Sequence, residues 1–447
     1  MKLSLSKIST LSILIVLILF GLTSFLVAIS FTLGDGMYAT EVVGGSGATS
    51  QDYTNATGGL TSSSLNSPQD IYLDSAGDRF FVADTANRRV LIHNLNANDT
   101  FPDYTADYVL GQSDFTSNSA ALTQAGMTKP IALAYDPVNE YLFVVDSNND
   151  LNTGQRVLVY DLSGVITDGM NASYVLGQED FTSEVQATDQ DSVYQPTSIA
   201  WDSTNDYLHV GEIIGARILS FDLGSGITNG MNAAHVLGKE TFIDNNSSVV
   251  DADGLFYVYQ LSFSSDLNYL FATDGLRQRI MVFDVSGGVT DGMNAAYVLG
   301  QTDFTTTGTG ATPSSSKFGY LDIGGGNYLS WAGVDYNNTA QTLFVSDVFG
   351  NRILAFDLSD GITNGEAASN VIGQADFATV SSNRGGSAAQ NSLYYPAAVQ
   401  YVSSVDRLYV ADLSNNRVLE GFDVTVPVVT PTSTPDNGPT YVHPPQC

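Results

Sequence analysis

The sequence predicts an all-β fold built from six similar units, and three recurring patterns support that prediction. Copies of the segment ASYVLGQEDF, found at residue 172, begin at residues 106, 233, 295 and 368. Six segments of the type LFVSDVFGNRILAFDL join two alternating apolar runs through an acidic residue, a polar turn and an arginine, which is typical of a β-hairpin. A third apolar run, such as KPIALAYD, precedes each hairpin.

Each unit therefore supplies four strands in a constant order. The apolar run is the first strand, the hairpin forms the second and third, and the VLGQ segment is the fourth. The hairpin arginine recurs at intervals of 61 to 73 residues, at Arg89, Arg156, Arg217, Arg279, Arg352 and Arg417. Four antiparallel strands repeated six times at this spacing predict a six-bladed β-propeller.

The last unit lacks a fourth strand of its own. No VLGQ segment follows Arg417, and the expected position falls at Asp436, in a proline-rich stretch. Near the start of the chain, residues 39–45 read ATEVVGG and match the ASYVLGQ pattern. We predict that this N-terminal strand completes the sixth blade and closes the ring, because pairing the two chain ends leaves no open edge at the seam.

The hairpin sequences resemble a known repeat family. Runs such as LYVADLSNNRVLEGFD and FFVADTANRRVLIHN resemble NHL repeats, in which a VAD strand is followed by an N-R-V strand. The resemblance covers about residues 39–425 and is strongest in units one, two, five and six. It implies a six-bladed fold. It implies much less about activity, because that family includes partner-binding modules, surface proteins and a few enzymes.

Residues that recur in every unit are expected to build the scaffold. The acidic residue and the arginine of each hairpin are expected to face each other across the turn as an exposed ion pair, which contributes about 0.2–1 kcal/mol. The aspartate that follows VLGQ is expected to accept hydrogen bonds from loop amides, and the next phenylalanine to fill apolar space between blades. The TDGM and TNGM turns are expected to place glycine at positive φ.

The two ends of the chain differ in composition from the repeats. Lys2 and Lys7 precede an uncharged, mostly apolar run, so residues 1–34 are predicted to be a membrane anchor or, alternatively, a secretion signal. The propeller is assigned to residues 38–425. Residues 426–447 hold six of the 13 prolines and are predicted to be a Pro/Thr-rich tail. The lysines predict that the propeller is exported to a cell surface or periplasm.

Charge and cysteine content restrict the partners and the compartment. Lys and Arg total 16 against 47 Asp and Glu, for a net charge of −31, which argues against nucleic acid and anionic lipid as ligands. The single cysteine, Cys447, allows no intrachain disulfide, which favours a bacterial over a eukaryotic surface. The predicted contact with a membrane is therefore through the N-terminal segment alone.

Residues that differ from blade to blade are better candidates for a ligand site than repeated ones. The loops before the first strands and the hairpin turns share one face, at the mouth of the central channel. Predicted ligand-binding residues there are Asp70, Tyr259, Gln260, Trp331 and Tyr395. The same mouth is expected to include Gln69, Lys129, Gln195, Thr197 and Tyr394. Tyrosine and tryptophan are common anchors of binding sites.

One polar hairpin turn is a candidate calcium loop. Its side-chain oxygens alternate at Asp146, Asn148, Asp150 and Asn152. The sixth position is Leu151 rather than glycine and the twelfth is Val157 rather than glutamate, so the loop is not an EF-hand. An ordinary polar extension of the hairpin is the alternative interpretation.

The scarcity of histidine limits the enzymatic alternatives. His93, His209 and His235 fall in predicted strands and His443 in the tail, so no histidine cluster suits a zinc site or a serine nucleophile. We therefore predict a non-catalytic module that binds a protein or a glycan, with no required cofactor other than a potential calcium ion. The alternative is a calcium-dependent lactonase or hydrolase that resembles gluconolactonase-like propellers and uses Asp70 and Gln260. A third interpretation is a surface module with a purely structural role.

Overall fold

In the part of the chain that the structure describes, six four-stranded antiparallel sheets form the blades of a six-bladed β-propeller, and one two-stranded sheet lies outside the blades. The computed structural model describes residues 37–44, 53–54, 58–244, 250–308, 310–325 and 327–423. The first half of the chain contributes β1 (Glu41–Val43), β2 (Asp70–Asp74), β3 (Arg79–Asp84), β4 (Arg89–Asn94), β5 (Tyr108–Leu110), β6 (Pro130–Asp136), β7 (Tyr141–Asn148), β8 (Thr153–Asp161), β9 (Tyr174–Leu176), β10 (Pro196–Asp202), β11 (Tyr207–Glu212), β12 (Ile218–Asp222) and β13 (His235–Leu237). The second half contributes β14 (Val258–Ser264), β15 (Tyr269–Asp274), β16 (Arg279–Asp284), β17 (Tyr297–Leu299), β18 (Leu321–Gly324), β19 (Asn327–Leu329), β20 (Ala332–Asn337), β21 (Thr342–Asp347), β22 (Arg352–Asp357), β23 (Asn370–Ile372), β24 (Pro396–Val402), β25 (Arg407–Asp412) and β26 (Arg417–Asp423).

The strand order within each blade confirms the predicted four-strand unit. Blades 1 to 4 are β2–β5, β6–β9, β10–β13 and β14–β17, blade 5 is β20–β23, and blade 6 has the order β1-β26-β25-β24. Apolar clusters lie between neighbouring blades, as where Val145 of blade 2 and Val210 of blade 3 share one core. The phenylalanines after the VLGQ segments pack against these clusters, as predicted: Phe115, Phe181, Phe242, Phe304 and Phe377.

The ring closes through the N-terminal strand, as the sequence predicted. β1 pairs antiparallel with β26, with Glu41 opposite Glu420 and Val43 opposite Val418. The Arg417 guanidinium also donates to the carbonyl oxygen of Tyr53, which occupies the place of the phenylalanine in the other blades. The two chain ends together therefore complete blade 6.

The repeated acid–arginine pairs are buried, which corrects the expectation of exposed pairs. In all six hairpins both side chains have 0% exposure, and the nitrogen–oxygen distances lie between 2.7 and 2.9 Å. In blade 5, Arg352 Nη2 donates to Lys317 O at 2.8 Å and Nη1 donates to Phe377 O, while Asp347 accepts from Gly319 N at 2.9 Å. Each pair therefore links its hairpin to the loops before the first strand and after the fourth.

The TDG and TNG turns join neighbouring blades as well as leading into the outer strand. Asp168 of blade 2 accepts a hydrogen bond from Val109 N of blade 1 at 3.1 Å, and Gly169 N donates to Val109 O at 2.9 Å. Gly169 has a φ of +64°, which glycine adopts without strain, as expected. In the same way, the outer strands of blades 2, 3 and 4 each donate a backbone N–H to a turn residue of the next blade. The acceptors are Oδ1 of Asn229, Asp291 and Asn364. The repeat pattern alone does not predict this contact between blades.

Two predicted flanking segments, residues 1–34 and 426–447, lie outside the described residues. Within the ranges that the structure describes, no helix is long and apolar enough to cross a membrane.

Candidate functional site

The central channel has one cavity at each end. The upper mouth, a cavity of about 260 Å³, opens on the face of the hairpin turns; six predicted residues line it, namely Gln69, Lys129, Thr197, Tyr259, Gln260 and Trp331. The lower cavity, of about 270 Å³, opens on the opposite face, where the turns between first and second strands include Pro137, Ser203 and Ser265. Gln260 lines both cavities and so marks the level at which they approach each other.

Two aromatic rings from neighbouring blades form one side of the upper mouth. Tyr259 lies on β14 and Trp331 directly precedes β20, and their ring centroids are 6.0 Å apart with 32° between the planes. Tyr257 packs edge-on against Tyr259 at 6.2 Å. A Cβ atom on Gly275 would lie 2.5 Å from the Tyr259 ring, so glycine at this position lets the ring lie against the hairpin turn. Both rings are half-buried and keep part of their surface open to the cavity.

An ion pair lies on the other side of the upper mouth. Lys129 Nζ is 3.0 Å from Asp150 Oδ2, with 28% and 81% of the two side chains exposed. Both residues line the cavity. An exposed pair of this kind contributes little to stability and exchanges readily for contacts with a ligand.

A hairpin that the sequence analysis missed lies beside the aromatic pair. β18 and β19 pair antiparallel between blades 4 and 5, and β19 contacts the turn at Gly275–Arg277. Leu321 and Ile323 are 46% and 50% exposed. The alternating run YLDIGGGNYL, with glycines at its centre, was the signal that could have identified it.

Asp70 does not lie at the upper mouth, contrary to the prediction. Its carboxylate lines the lower cavity, where Oδ1 accepts from Ile71 N at 2.9 Å and Oδ2 from Leu133 N at 2.7 Å. Burial raises the pKa of Asp70 to about 7, although the two amides and Gln260 favour the ionised form. The prediction failed because Asp70 is the first residue of β2, and its side chain turns into the neighbouring blade rather than toward the mouth.

Tyr395 also departs from its predicted place. Among the described residues that line the two cavities, Tyr395 does not occur. It packs against Tyr394 at 4.8 Å and Phe349 at 5.7 Å, and its backbone N–H donates to Asn351 Oδ1 at 3.0 Å. The aromatic character that made Tyr395 a candidate therefore serves packing between blades 5 and 6.

Three of the four residues of the candidate calcium loop, Asp146, Asp150 and Asn152, have separate side-chain partners. Asp146 Oδ1 accepts from Thr128 N at 2.7 Å and Lys129 N at 2.8 Å, and Oδ2 is held by Arg156. Asp150 pairs with Lys129, Asn152 Oδ1 accepts from the Gln195 amide, and Asn148 ends β7. A cation would have to displace these partners. In the described part of the chain, no three His, Cys, Asp or Glu side chains are grouped for a metal ion.

A serine, a histidine and an aspartate lie together in blade 3. His209 Nδ1 is 2.8 Å from Ser220 Oγ, and His209 Nε2 is 3.8 Å from Asp202 Oδ2. All three residues are fully buried. A nucleophile needs access to its substrate, so this cluster is a packing feature of the blade.

Comparisons with known proteins leave the function open. No protein-family model matches the chain, so the resemblance to NHL repeats stays a prediction. No curated protein matches either. A structural-genomics protein of unknown function from Bacteroides thetaiotaomicron has 11% identity and a TM-score of 0.49, over 86% of this chain and 75% of that one. An auxiliary nutrient binding protein from Bacteroides ovatus has 12% identity and a TM-score of 0.48, over 87% and 76%.

Hydrazine synthase from Kuenenia stuttgartiensis has 11% identity and a TM-score of 0.45, over 81% of this chain and 97% of that one. Similarity at this level carries no argument about function. The assignment as a six-bladed propeller rests instead on the strand order and register of this chain.

Proposed function

We propose that this propeller is a non-catalytic binding module of the NHL-repeat type that binds a glycan at the upper mouth. The observation that carries the proposal is the half-buried Tyr259–Trp331 pair, which two neighbouring blades contribute to the lining of the upper mouth. Residues that recur in all six blades support each blade equally and cannot easily create one asymmetric site. Residues that occur once can.

The chemistry of the upper mouth suits a sugar ring. The apolar C–H face of a sugar packs on an aromatic ring, as amphipathic ligands do in sites with a few placed polar groups. Gln69 and Gln260 supply amides that donate to and accept from hydroxyls, and Lys129 and Asp150 supply a charged donor and acceptor. A protein partner would find only a small concave surface in this cavity.

The alternative of a calcium-dependent lactonase receives less support. It assigns the metal to Asp70 and Gln260, but both Asp70 oxygens already accept backbone amides. A metal at Asp70 would compete with the hydrogen bond that joins blades 1 and 2. The non-catalytic proposal requires no such rearrangement.

We further propose that residues 1–34 anchor the module outside the cytoplasm. Support comes from the sequence alone, since Lys2 and Lys7 precede a long apolar run. Protease added to cells with a permeabilised outer envelope should then cleave the propeller or its tail while cytoplasmic markers survive. Recovery of the intact chain in the cytoplasmic fraction would contradict this proposal.

The binding site is tested with two aromatic variants on the same face. A glycan array identifies the best ligand, and titration calorimetry then measures its affinity for wild type, Trp331→Ala and Tyr395→Ala. We expect Trp331→Ala to weaken binding about 10- to 100-fold, the effect of removing a central aromatic anchor. Tyr395→Ala is the matched control, since Tyr395 lies outside the cavity, and should keep wild-type affinity.

Three results would overturn the proposal. The array yields no ligand, or Trp331→Ala binds as well as wild type, or both variants lose affinity equally. Conversion of a lactone or ester substrate that is abolished by Asp70→Ala would replace the binding module with the enzyme.

A further inference from the structure

We propose that the lower cavity binds a small organic ammonium ion between the Asp335 carboxylate and an aromatic wall formed by Tyr72, Trp201 and Phe263. All four residues line the cavity, and they come from blades 5, 1, 3 and 4 respectively. The site is separate from the upper mouth and does not depend on the proposed glycan function.

Among the described residues, Asp335 has no basic partner. Its Oδ2 accepts a hydrogen bond from Tyr401 N at 2.8 Å, which leaves the second oxygen available to a ligand in the cavity. The described residues that line the cavity include no lysine, arginine or histidine. Carboxylates withdrawn from water are normally paired with a cation, so the missing charge is one that a ligand can supply.

The electrostatics of the cavity support this assignment. Burial, with a smaller contribution from the charge of Asp70, raises the pKa of Asp335 to about 7, although the hydrogen bond from the Tyr401 amide lowers it. Burial also raises the pKa of Tyr72, with smaller contributions from the charges of Asp74 and then Asp335. A bound cation would stabilise the ionised form of Asp335 and relieve this repulsion.

An organic cation fits the donor set better than a metal ion does. Calcium takes six to eight oxygen ligands. In the lower cavity, however, several side-chain oxygens already accept backbone amides: Asp70 Oδ1 from Ile71 N of its own strand, and Asp70 Oδ2 from Leu133 N, Gln400 Oε1 from Leu73 N at 2.7 Å and Ser262 Oγ from Tyr336 N at 3.3 Å, all of a neighbouring blade. An ammonium ion needs one carboxylate and aromatic faces, which attract it through their quadrupoles.

The size of the cavity limits the ligand. Its volume of about 270 Å³ is just below the usual range of ligand pockets, which is roughly 300–1,000 Å³. We therefore expect ions of the size of choline or tetramethylammonium rather than a peptide.

The two tryptophans of the chain allow each cavity to be observed by itself. Trp331 is at the upper mouth and Trp201 at the lower cavity, and the sequence contains no others. In a Trp331→Phe protein, Trp201 fluorescence therefore reports the lower cavity alone. The probes are choline, its uncharged isostere 3,3-dimethylbutan-1-ol, and calcium chloride. We expect choline to change Trp201 emission saturably and the other two probes to leave it unchanged.

Two substitutions separate the charge from the fold. Asp335→Asn should weaken choline binding at least about tenfold, because it removes the charge and keeps the shape. Asp360→Asn makes the same change of net charge at an exposed turn and should have no effect. Should Asp335→Asn fail to fold, calorimetry on Trp201→Phe tests the aromatic wall instead, with an expected loss of about threefold or more.

The proposal is overturned by any of three results. Choline fails to bind wild type, or the uncharged alcohol binds as tightly as choline, or calcium binds wild type and this binding is lost in Asp335→Asn. The last result would identify the cavity as a metal site.

Discussion

At the residue scale, the acid–arginine pairs show how much burial changes the meaning of a motif. The spacing between Asp347 and Arg352 predicted that the two side chains meet, and they do at 2.8 Å. It did not predict that the pair is buried, because the carbonyls that cover it belong to Lys317 and Phe377, which are distant in sequence. A hairpin pattern contains no information about loops from the first and fourth strands.

This burial gives Arg352 a large predicted effect on stability. Arg352→Ala leaves Asp347 buried without its partner, which typically costs 3–5 kcal/mol. We expect a decrease of that order in the free energy of unfolding, measured by urea denaturation. Arg384→Ala, at a partly exposed arginine, is the control and should change it by less than about 0.5 kcal/mol. A loss below about 1 kcal/mol for Arg352→Ala would mean that the pair behaves like an exposed one.

At the element scale, the N-terminal strand is the piece that makes the repeat a closed ring. The match between residues 39–45 and the VLGQ segments was sufficient to place β1 beside β26. The β18–β19 hairpin occurs only once among the described residues, so the repeat pattern does not predict it between blades 4 and 5. Repetition therefore predicts the scaffold well and the single insertion poorly, although this insertion contacts the Gly275–Arg277 turn on which Tyr259 packs.

Removal of β1 should open blade 6. A variant without residues 36–46 exposes the edge of β26, which can pair with another chain. We expect a lower melting temperature in calorimetry and concentration-dependent association in light scattering. A variant that lacks residues 1–34 retains β1 and is the control. If both truncated proteins melt together and remain monomeric, the strand does not hold the ring closed.

At the scale of the whole molecule, the seam contains a carboxylate that opposes closure at high pH. Glu420 is fully buried and stands opposite Glu41 on the neighbouring strand, and it accepts from Arg407 at 2.8 Å. Burial, followed by the charge of Glu41, raises the pKa of Glu420 from 4.5 to about 7. Because the pKa of Glu420 is higher in the folded protein than in the unfolded chain, this residue stabilises the fold at pH values below its unfolded pKa. The stabilisation is lost as the pH rises through about 7.

The stability of the ring should therefore fall between pH 5 and pH 8. A pKa shift of this size corresponds to a change of roughly 3 kcal/mol in the free energy of unfolding for Glu420 alone. Asp70 and Asp335, with pKa values also raised to about 7, act in the same direction. We expect the melting temperature of wild type to be higher at pH 5 than at pH 8, and that of Glu420→Gln to depend less on pH. If the melting temperatures of the two proteins changed equally with pH, Glu420 would not be a cause of the pH dependence.

The central claim is that blade-specific residues of the channel, and not the repeated ones, bind the ligand. A crystal structure of the propeller with the best glycan from the array tests it most directly. We expect a sugar ring on the face of Trp331, within reach of Gln260 and Lys129, with the repeated acid–arginine pairs unchanged. A glycan on the outer strands of the blades, or one bound through the repeated Asp–Arg pairs, would contradict it.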